Sequence, residues 1–157
     1  MKHLESDGQV VLTKLQGLNA PDREPGDGDV VAAVLDVETT GLNHQKDEII
    51  QIAIRPFFVS PTTGEVSAMK KTIVALQQPS SPLPKIITEI TGFVDDDLTG
   101  HEIDWKKIGN ILGRCQFIIA HNASFDRKWV DTALRNNGVV GPENAIWCCS
   151  MSQVDWT

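Results

Sequence analysis

The sequence lacks any apolar run long enough to cross a lipid bilayer, which takes about 20 residues. Its longest runs, such as Val30 to Leu35, contain only a few residues. It also lacks the basic-then-apolar N-terminus of a secretory signal. We therefore expect a cytoplasmic protein that has no membrane partner.

Cysteine is scarce. There are three cysteines, an odd number, and Cys148 and Cys149 are adjacent. This spacing suits neither a disulfide framework nor a zinc site built from separated ligand pairs. We expect reduced thiols in the core.

Positive charge is also in short supply, because 14 Lys and Arg stand against 21 Asp and Glu and leave a net charge of -7. Such a chain offers a polyanion no general attraction. If it binds nucleic acid, the binding must rest on a local site where metal ions offset the acids.

What the chain does have is a length of 157 residues and a hydrophobic content of 41%, enough to bury the core of one α/β domain. Residues 1–28 form an N-terminal tail, in which an apolar cluster from Val10 to Leu18 is followed by a linker rich in Pro, Gly and Asp. The domain itself is expected over residues 29–157.

A buried strand followed by two acids is the most informative stretch. The run from Val30 to Leu35 is typical of a central strand covered on both faces. Because side chains alternate along a strand, Asp36 and Glu38 point to the same side and need a compensating cation. Oxygen ligands of this kind suit Mg²⁺ or Mn²⁺. The alternative is a pair of solvated acids at the end of a strand.

Thr39-Thr40-Gly41 is expected to turn the chain after this strand, and Gly41 is free to take a positive φ there. Charged loop residues follow, and His44 among them is predicted to be solvated.

The later pattern predicts three strands and three helices, and one further strand closes the series. The first two strands continue an antiparallel hairpin and lie over Ile49–Val59 and Lys71–Leu76. The later elements are a helix over Lys85–Thr91 begun by Pro84 and ended by Gly92, an amphipathic helix from Ile103 to Gly113, a strand over Gln116–Ala120, a helix from Asn122 to Gly138 and a strand over Ala145–Cys149. The three acids from Asp95 to Asp97 are expected to be solvated or to start a helix.

A third acid belongs to the helix that follows the strand ending at Ala120. Helical spacing places Asp126 in the middle of the inward face, among Phe125, Trp129 and Val130. A core-facing acid must be compensated, and it can be if this helix packs beside the strand that carries Asp36 and Glu38. The alternative is a buried acid that caps a backbone amide.

These stretches resemble the DnaQ-like 3'-to-5' exonucleases of the DEDD group, DEDDh branch, which include the exonuclease of the DNA polymerase III epsilon subunit. The segment from Asp36 to Leu42 is similar to the first motif of that family, and the segment from His121 to Asp126 is similar to the second. Ile90-Thr91-Gly92 is similar to the segment between them. The resemblance implies an α/β, ribonuclease H-like three-layer fold with a mixed central sheet, in which an antiparallel meander is followed by parallel strands.

The resemblance also implies roles for individual residues. Asp36, Glu38 and Asp126 would be catalytic ligands of two Mg²⁺ or Mn²⁺ ions. Substrate-binding residues would lie along the 3'-terminal nucleotide, and these are Thr39, Thr40, Gly41, Leu42, Thr91, Gly92, Asn122 and Phe125.

The third motif of the family, a His and a fourth Asp on a late helix, does not occur before Thr157. We therefore expect a fold truncated at its C-terminus, with weak activity or none. The expected function is metal-dependent 3'-to-5' hydrolysis of nucleic acid with a free 3' end, DNA being favoured over RNA, with a DNA polymerase subunit as a further partner. The alternative is a non-catalytic module that binds a polymerase or a nucleic-acid 3' end.

Overall fold

The computed structural model describes residues 24–156. The apolar cluster from Val10 to Leu18, predicted from the sequence, lies outside the described residues. The described elements are, in chain order, β1 (Val30–Thr39), β2 (Ile49–Val59), β3 (Val66–Met69), β4 (Ile73–Leu76), α1 (Lys85–Thr91), α2 (Asp95–Leu98), α3 (Trp105–Leu112), β5 (Phe117–Ala120), α4 (Ala123–Asn136), β6 (Ile146–Cys149) and α5 (Ser150–Gln153).

The six strands form one mixed sheet in the order β3-β2-β1-β5-β6, and β4 also pairs with β2. β2 is antiparallel to β1, β3 and β4, whereas β5 is parallel to β1 and β6 is parallel to β5. The predicted antiparallel meander followed by parallel strands is therefore confirmed. β1 lies at the centre of the sheet, and the chain reaches its second neighbour, β5, only after three helices.

The predicted third strand over Lys71–Leu76 is wrong in its extent, because the returning chain forms two short strands. β3 pairs with Phe57 to Val59 of β2, and β4 pairs with Gln51 to Ile54. Pro56 lies between the two pairings, and its carbonyl accepts a hydrogen bond from the Lys70 backbone N–H at 2.8 Å. Because proline has no N–H, the break falls where β2 has no donor to offer on that side.

One face of the sheet carries the core. Side chains of alternate β1 residues, such as Leu35 and Val37, are buried there against α3 and α4. The buried residues of these two helices that join the core are Ile108, Leu112, Trp129, Val130 and Leu134. The predicted inward face of α4 is thus confirmed.

The opposite face, which we call the open face, carries Val34, Asp36 and Glu38 of β1. Strand pairing places Arg55, Val74, Ile119 and Ile146 on the same side. Val34 is 49% exposed, Val74 56% and Ile146 58%. The prediction that β1 is covered on both faces therefore holds only in part within residues 24–156, because Ala32 on the open face is buried whereas Val34 is half exposed.

The predicted helix boundaries hold with small changes. Pro84 precedes α1 as its N-cap rather than as its first residue, and Gly92 ends the helix with a φ of 80°. Asp95, Asp96 and Asp97 form the first turn of α2, as expected for acids at a helix start.

Within residues 24–156 the longest helix is α4, and none of the helices has the length and apolar character that a membrane span requires. Among residues 24–156, Cys115, Cys148 and Cys149 form no disulfide. The predicted place in the core holds for Cys115, which is buried, whereas Cys148 and Cys149 are half-buried.

Candidate active site

Two carboxylates lie at the carboxyl end of β1. Asp36 is exposed and Glu38 is half-buried, whereas their neighbours Leu35, Val37 and Thr39 are buried on the other side. The alternation predicted from the sequence is confirmed, so both acids belong to the open face.

The third carboxylate reaches this region from α4. The chain leaves β5 and turns at Asn122, the one non-glycine residue with a positive φ within residues 24–156, with φ 63° and ψ 50°. This left-handed residue redirects the chain into the helix, and asparagine is one of the few non-glycine residues that adopt this conformation. Asp126 then falls in the first helical turn and is only 2% exposed.

Asp126 is electrostatically coupled to the two carboxylates of β1. The pKa of its carboxyl group is raised from 3.8 to about 6, first by burial and then by the negative charges of Asp36 and Glu38, while hydrogen bonds from the backbone N–H groups of Asp126 and Val37 act in the opposite direction. The pKa of Glu38 is also raised, first by burial and then by Asp36. Asp126 therefore both accepts hydrogen bonds from backbone amides and is repelled by the charges of Asp36 and Glu38.

This donor set fits a hard divalent cation. Carboxylate oxygens are the ligands that Mg²⁺ and Mn²⁺ prefer, and a cation would relieve the repulsion that raises the pKa of Asp126. Within residues 24–156, no three His, Cys, Asp or Glu side chains form a group that could hold a metal ion as it stands. Asp36 and Glu38 are not fully buried, and rotamer changes could turn them toward Asp126.

The turn after β1 is held by its own hydroxyl groups. The Thr39 hydroxyl donates to the Gly41 carbonyl at 2.6 Å, and the Thr40 hydroxyl accepts from the Glu48 backbone N–H at 2.9 Å. Leu42 projects from the turn and is 86% exposed. Both threonines thus have a structural task in addition to the predicted contact with substrate.

Gly41 does not adopt the positive φ that is open to a glycine in this turn. Glycine leaves space here instead, because a Cβ atom at this position would overlap the carboxylate of Asp47 and force that side chain to move. That carboxylate accepts a hydrogen bond from the Asn43 backbone N–H at 2.8 Å and so closes the loop.

The remaining predicted substrate contacts lie on two helices. Thr91 ends α1, where its hydroxyl donates to the Ile87 carbonyl, and Gly92 follows it. Phe125 precedes Asp126 and packs against Trp129, with ring centroids 5.8 Å apart. Asn122 accepts a hydrogen bond from the Ser124 hydroxyl. No hydrogen bond or ion pair in residues 24–156 links Thr91 or Gly92 to the three carboxylates.

His44 is not the solvated loop residue that we predicted. Its Nδ1 lies 3.2 Å from the Thr132 hydroxyl, and its ring meets the edge of Trp129. No local signal in the sequence could have shown this, because the two partners are more than 80 residues away along the chain. His121 is paired with the Ser150 hydroxyl. In the part of the chain that the structure describes, no histidine forms a hydrogen bond or ion pair with the three carboxylates.

Comparison with known proteins places this arrangement in a family. The RNase T family model, described as Exonuclease, matches residues 33–152, which include all three carboxylates. A DNA polymerase III PolC-type from Bacillus cereus is 34% identical over 116 residues, and another from Staphylococcus saprophyticus is 29% identical over 156 residues. These alignments cover 72% and 90% of this chain but only 8% and 10% of the relatives.

The solved structures agree on the fold. The zinc-bound complex of E. coli exonuclease I with single-stranded DNA matches 77% of this chain and 28% of its own, with a TM-score of 0.62 and 15% identity. At this identity the likeness shows the fold alone, which is ribonuclease H-like, as predicted. With its mixed sheet and its match over residues 33–152, the chain belongs to the RNase T exonuclease family.

Proposed function

We propose that this domain is a metal-dependent 3'-to-5' exonuclease that acts on nucleic acid, with DNA favoured over RNA. The observation that carries the proposal is the burial of Asp126 beside Asp36 and Glu38, at the end of the central strand. Three carboxylates in mutual repulsion are energetically unfavourable unless a cation binds among them. The relatives named as DNA polymerases and the exonuclease I complex with single-stranded DNA support the choice of DNA.

Asp36, Glu38 and Asp126 would hold Mg²⁺ or Mn²⁺, which when bound lowers the pKa of water and stabilises charge on the phosphate oxygens. Residues from Thr39 to Leu42, with Thr91, Gly92, Asn122 and Phe125, would position the terminal nucleotide. Within residues 24–156, no histidine forms a hydrogen bond or ion pair with the three carboxylates, so a histidine general base is not in place beside them. Loss of such a base costs about 10²- to 10⁴-fold, so we expect slow turnover.

A second candidate follows from the same observation. A domain without a histidine base at its carboxylates can bind a 3' end, or a polymerase subunit, without cutting. The release of mononucleotides distinguishes this binding module from an exonuclease.

Metal binding is tested first, by thermal unfolding with and without Mn²⁺. A ligand that binds the native state raises the melting temperature, by an amount set by its concentration over its dissociation constant. We expect a rise for the wild type and none for Asp36→Asn. Asp96→Asn is the matched control, because Asp96 is an exposed acid in α2. Equal shifts in the wild type and in Asp36→Asn would overturn the proposed metal site.

Cleavage is tested with a 5'-labelled oligonucleotide whose 3' end is either free or blocked. We expect slow release of mononucleotides from the free 3' end only, dependent on Mg²⁺ or Mn²⁺ and absent in Glu38→Ala. Metal-dependent binding without any release would support the binding module instead.

A further inference from the structure

In the six described strands, one basic side chain lies on the open face, among acidic and apolar residues. Arg55 is the only Lys or Arg in the six described strands. It pairs with Val34 across β1 and β2, whereas Asp36 pairs with Ala53. Arg55 is therefore offset from Asp36 in two directions. Along the strand the offset is two residues, or roughly 6.6 Å, and across the sheet it is one strand spacing, or roughly 4.8 Å.

The break between β3 and β4 leaves Arg55 accessible. β4 pairs with β2 only as far as Ile54, and β3 begins its pairing at Phe57, so Arg55 has no strand partner on its outer side. The chain crosses this break at Lys70 to Thr72. Lys70 lies over the ring of Phe58, and Lys71 is exposed.

Arg55 is exposed and forms no ion pair with any residue in the range 24–156. In a chain with a net charge of -7, positive charge beside the carboxylates is a local exception. A guanidinium group matches a phosphate with two parallel hydrogen bonds, and it does so better than an ammonium group. A side chain suited to binding phosphate thus lies on the open face, on the strand next to the one that carries the proposed site of cleavage.

We propose that Arg55, with Lys71 in the strand break, binds a backbone phosphate of the nucleic-acid strand, next to the phosphate held at Asp36, Glu38 and Asp126. The inference rests on the proposed function and deepens it, because it gives the bound strand a path across the open face. It also makes a strand longer than one nucleotide the preferred ligand.

The test compares Arg55→Gln with Arg114→Gln in the 157-residue chain. Arg114 is also exposed, but it precedes β5, which runs parallel to β1, and so lies toward the end of the sheet opposite the carboxylates. The probe is a single-stranded oligonucleotide with phosphorothioate 3' linkages in Mn²⁺, and its dissociation constant is measured by anisotropy at several salt concentrations. Each lost phosphate contact lowers the salt slope for single strands by about 0.7.

We expect Arg55→Gln to raise the dissociation constant about 3- to 10-fold and to lower the salt slope by about one contact, with Arg114→Gln close to wild type. Arg55→Lys should keep the slope and lose part of the affinity. Equal effects of Arg55→Gln and Arg114→Gln would overturn the inference. It would also be overturned if Arg55→Gln melts at so low a temperature that partial unfolding explains its weaker binding.

A small phosphodiester, thymidine 5'-(p-nitrophenyl phosphate), separates this inference from the proposed function. It contains the cleavable group but no neighbouring phosphate, so Arg55→Gln should bind it as the wild type does, and Asp36→Asn should not. If the wild type binds the small ester but Arg55→Gln binds the oligonucleotide normally, the inference fails and the proposed function stands. Failure of the wild type to bind either probe overturns both.

Discussion

Among single residues, Asp126 has a carboxyl group whose ionisation is unfavourable in the metal-free protein. The group is buried, and the charges of two further acids act on it. Its folded-state pKa of about 6 lies above the ordinary value of 3.8, so between these two pH values the folded state binds more protons than the unfolded state. Stability from this group is therefore present at low pH and is lost as the pH rises from about 4 to about 6.

We accordingly predict that Asp126→Asn stabilises the metal-free protein at neutral pH. The gain should be about 1–3 kcal/mol at pH 7.5, since each unit of pKa corresponds to 1.36 kcal/mol, and it should shrink toward pH 4.5. Urea unfolding in EDTA across this range measures it. A constant difference between the two proteins at every pH would contradict the assigned pKa.

The three acids show how far the sequence alone reaches at this scale. The period of two along a strand places Asp36 and Glu38 on one side, and the period of 3.6 turns Asp126 inward, so both could be predicted from spacing. The environment of His44 could not, because Thr132 and Trp129 reach it only through the packing of α4 against the β1–β2 loop. The accessible position of Arg55 likewise depends on a break in pairing that the apolar pattern of β2 does not show, because the strand itself continues through Pro56.

At the scale of elements, the turn that follows β1 depends on the close approach of its two sides. The Asp47 carboxylate occupies the space that a side chain at position 41 would need, and it holds the Asn43 backbone N–H. The sequence suggested glycine for its backbone freedom, whereas the structure uses it for its missing Cβ.

We predict that Gly41→Ala destabilises the protein by about 1–3 kcal/mol, because it displaces Asp47 and leaves a charge-assisted hydrogen bond unmade. In an Asp47→Ala background the same change should cost much less, which gives a coupling energy within the usual range of about 0.5–3 kcal/mol. Denaturant unfolding of the four proteins measures the cycle. Additive effects would show that the two positions do not compete for space.

The strands illustrate a similar limit. The alternation of β1 and the bounds of β2 were readable from the sequence, since each is a long run with a clear pattern. The returning chain was predicted as one strand. Its division into β3 and β4 follows from Pro56 in β2, the strand with which both of them pair.

For the whole molecule, the open face leaves apolar side chains in contact with water. Val34, Val74 and Ile146 are each about half exposed, and they lie on one surface. Apolar side chains that are exposed on one face of a sheet promote association.

We predict that the 157-residue chain self-associates at micromolar concentration, and that the double variant Val74→Lys, Ile146→Lys shifts it toward the monomer. Val140→Lys is the matched control, because Val140 is 74% exposed but lies after α4 and outside the strands of the open face. Sedimentation at several concentrations gives the mass. A monomeric wild type, or an equal effect of the control, would show that the open face does not drive association.

The position of β1 between an early and a late partner also determines when the site can assemble on the ribosome. The hairpin with β2 can close soon after it is made, but Val31 meets Gln116, at the start of the β5 contact, across a separation of 85 residues. At a synthesis rate of roughly 5–20 residues per second, the strand that bears Asp36 and Glu38 waits about 4–17 s for that neighbour. Throughout this interval one edge of β1 is unpaired, and Asp126 has not yet been translated.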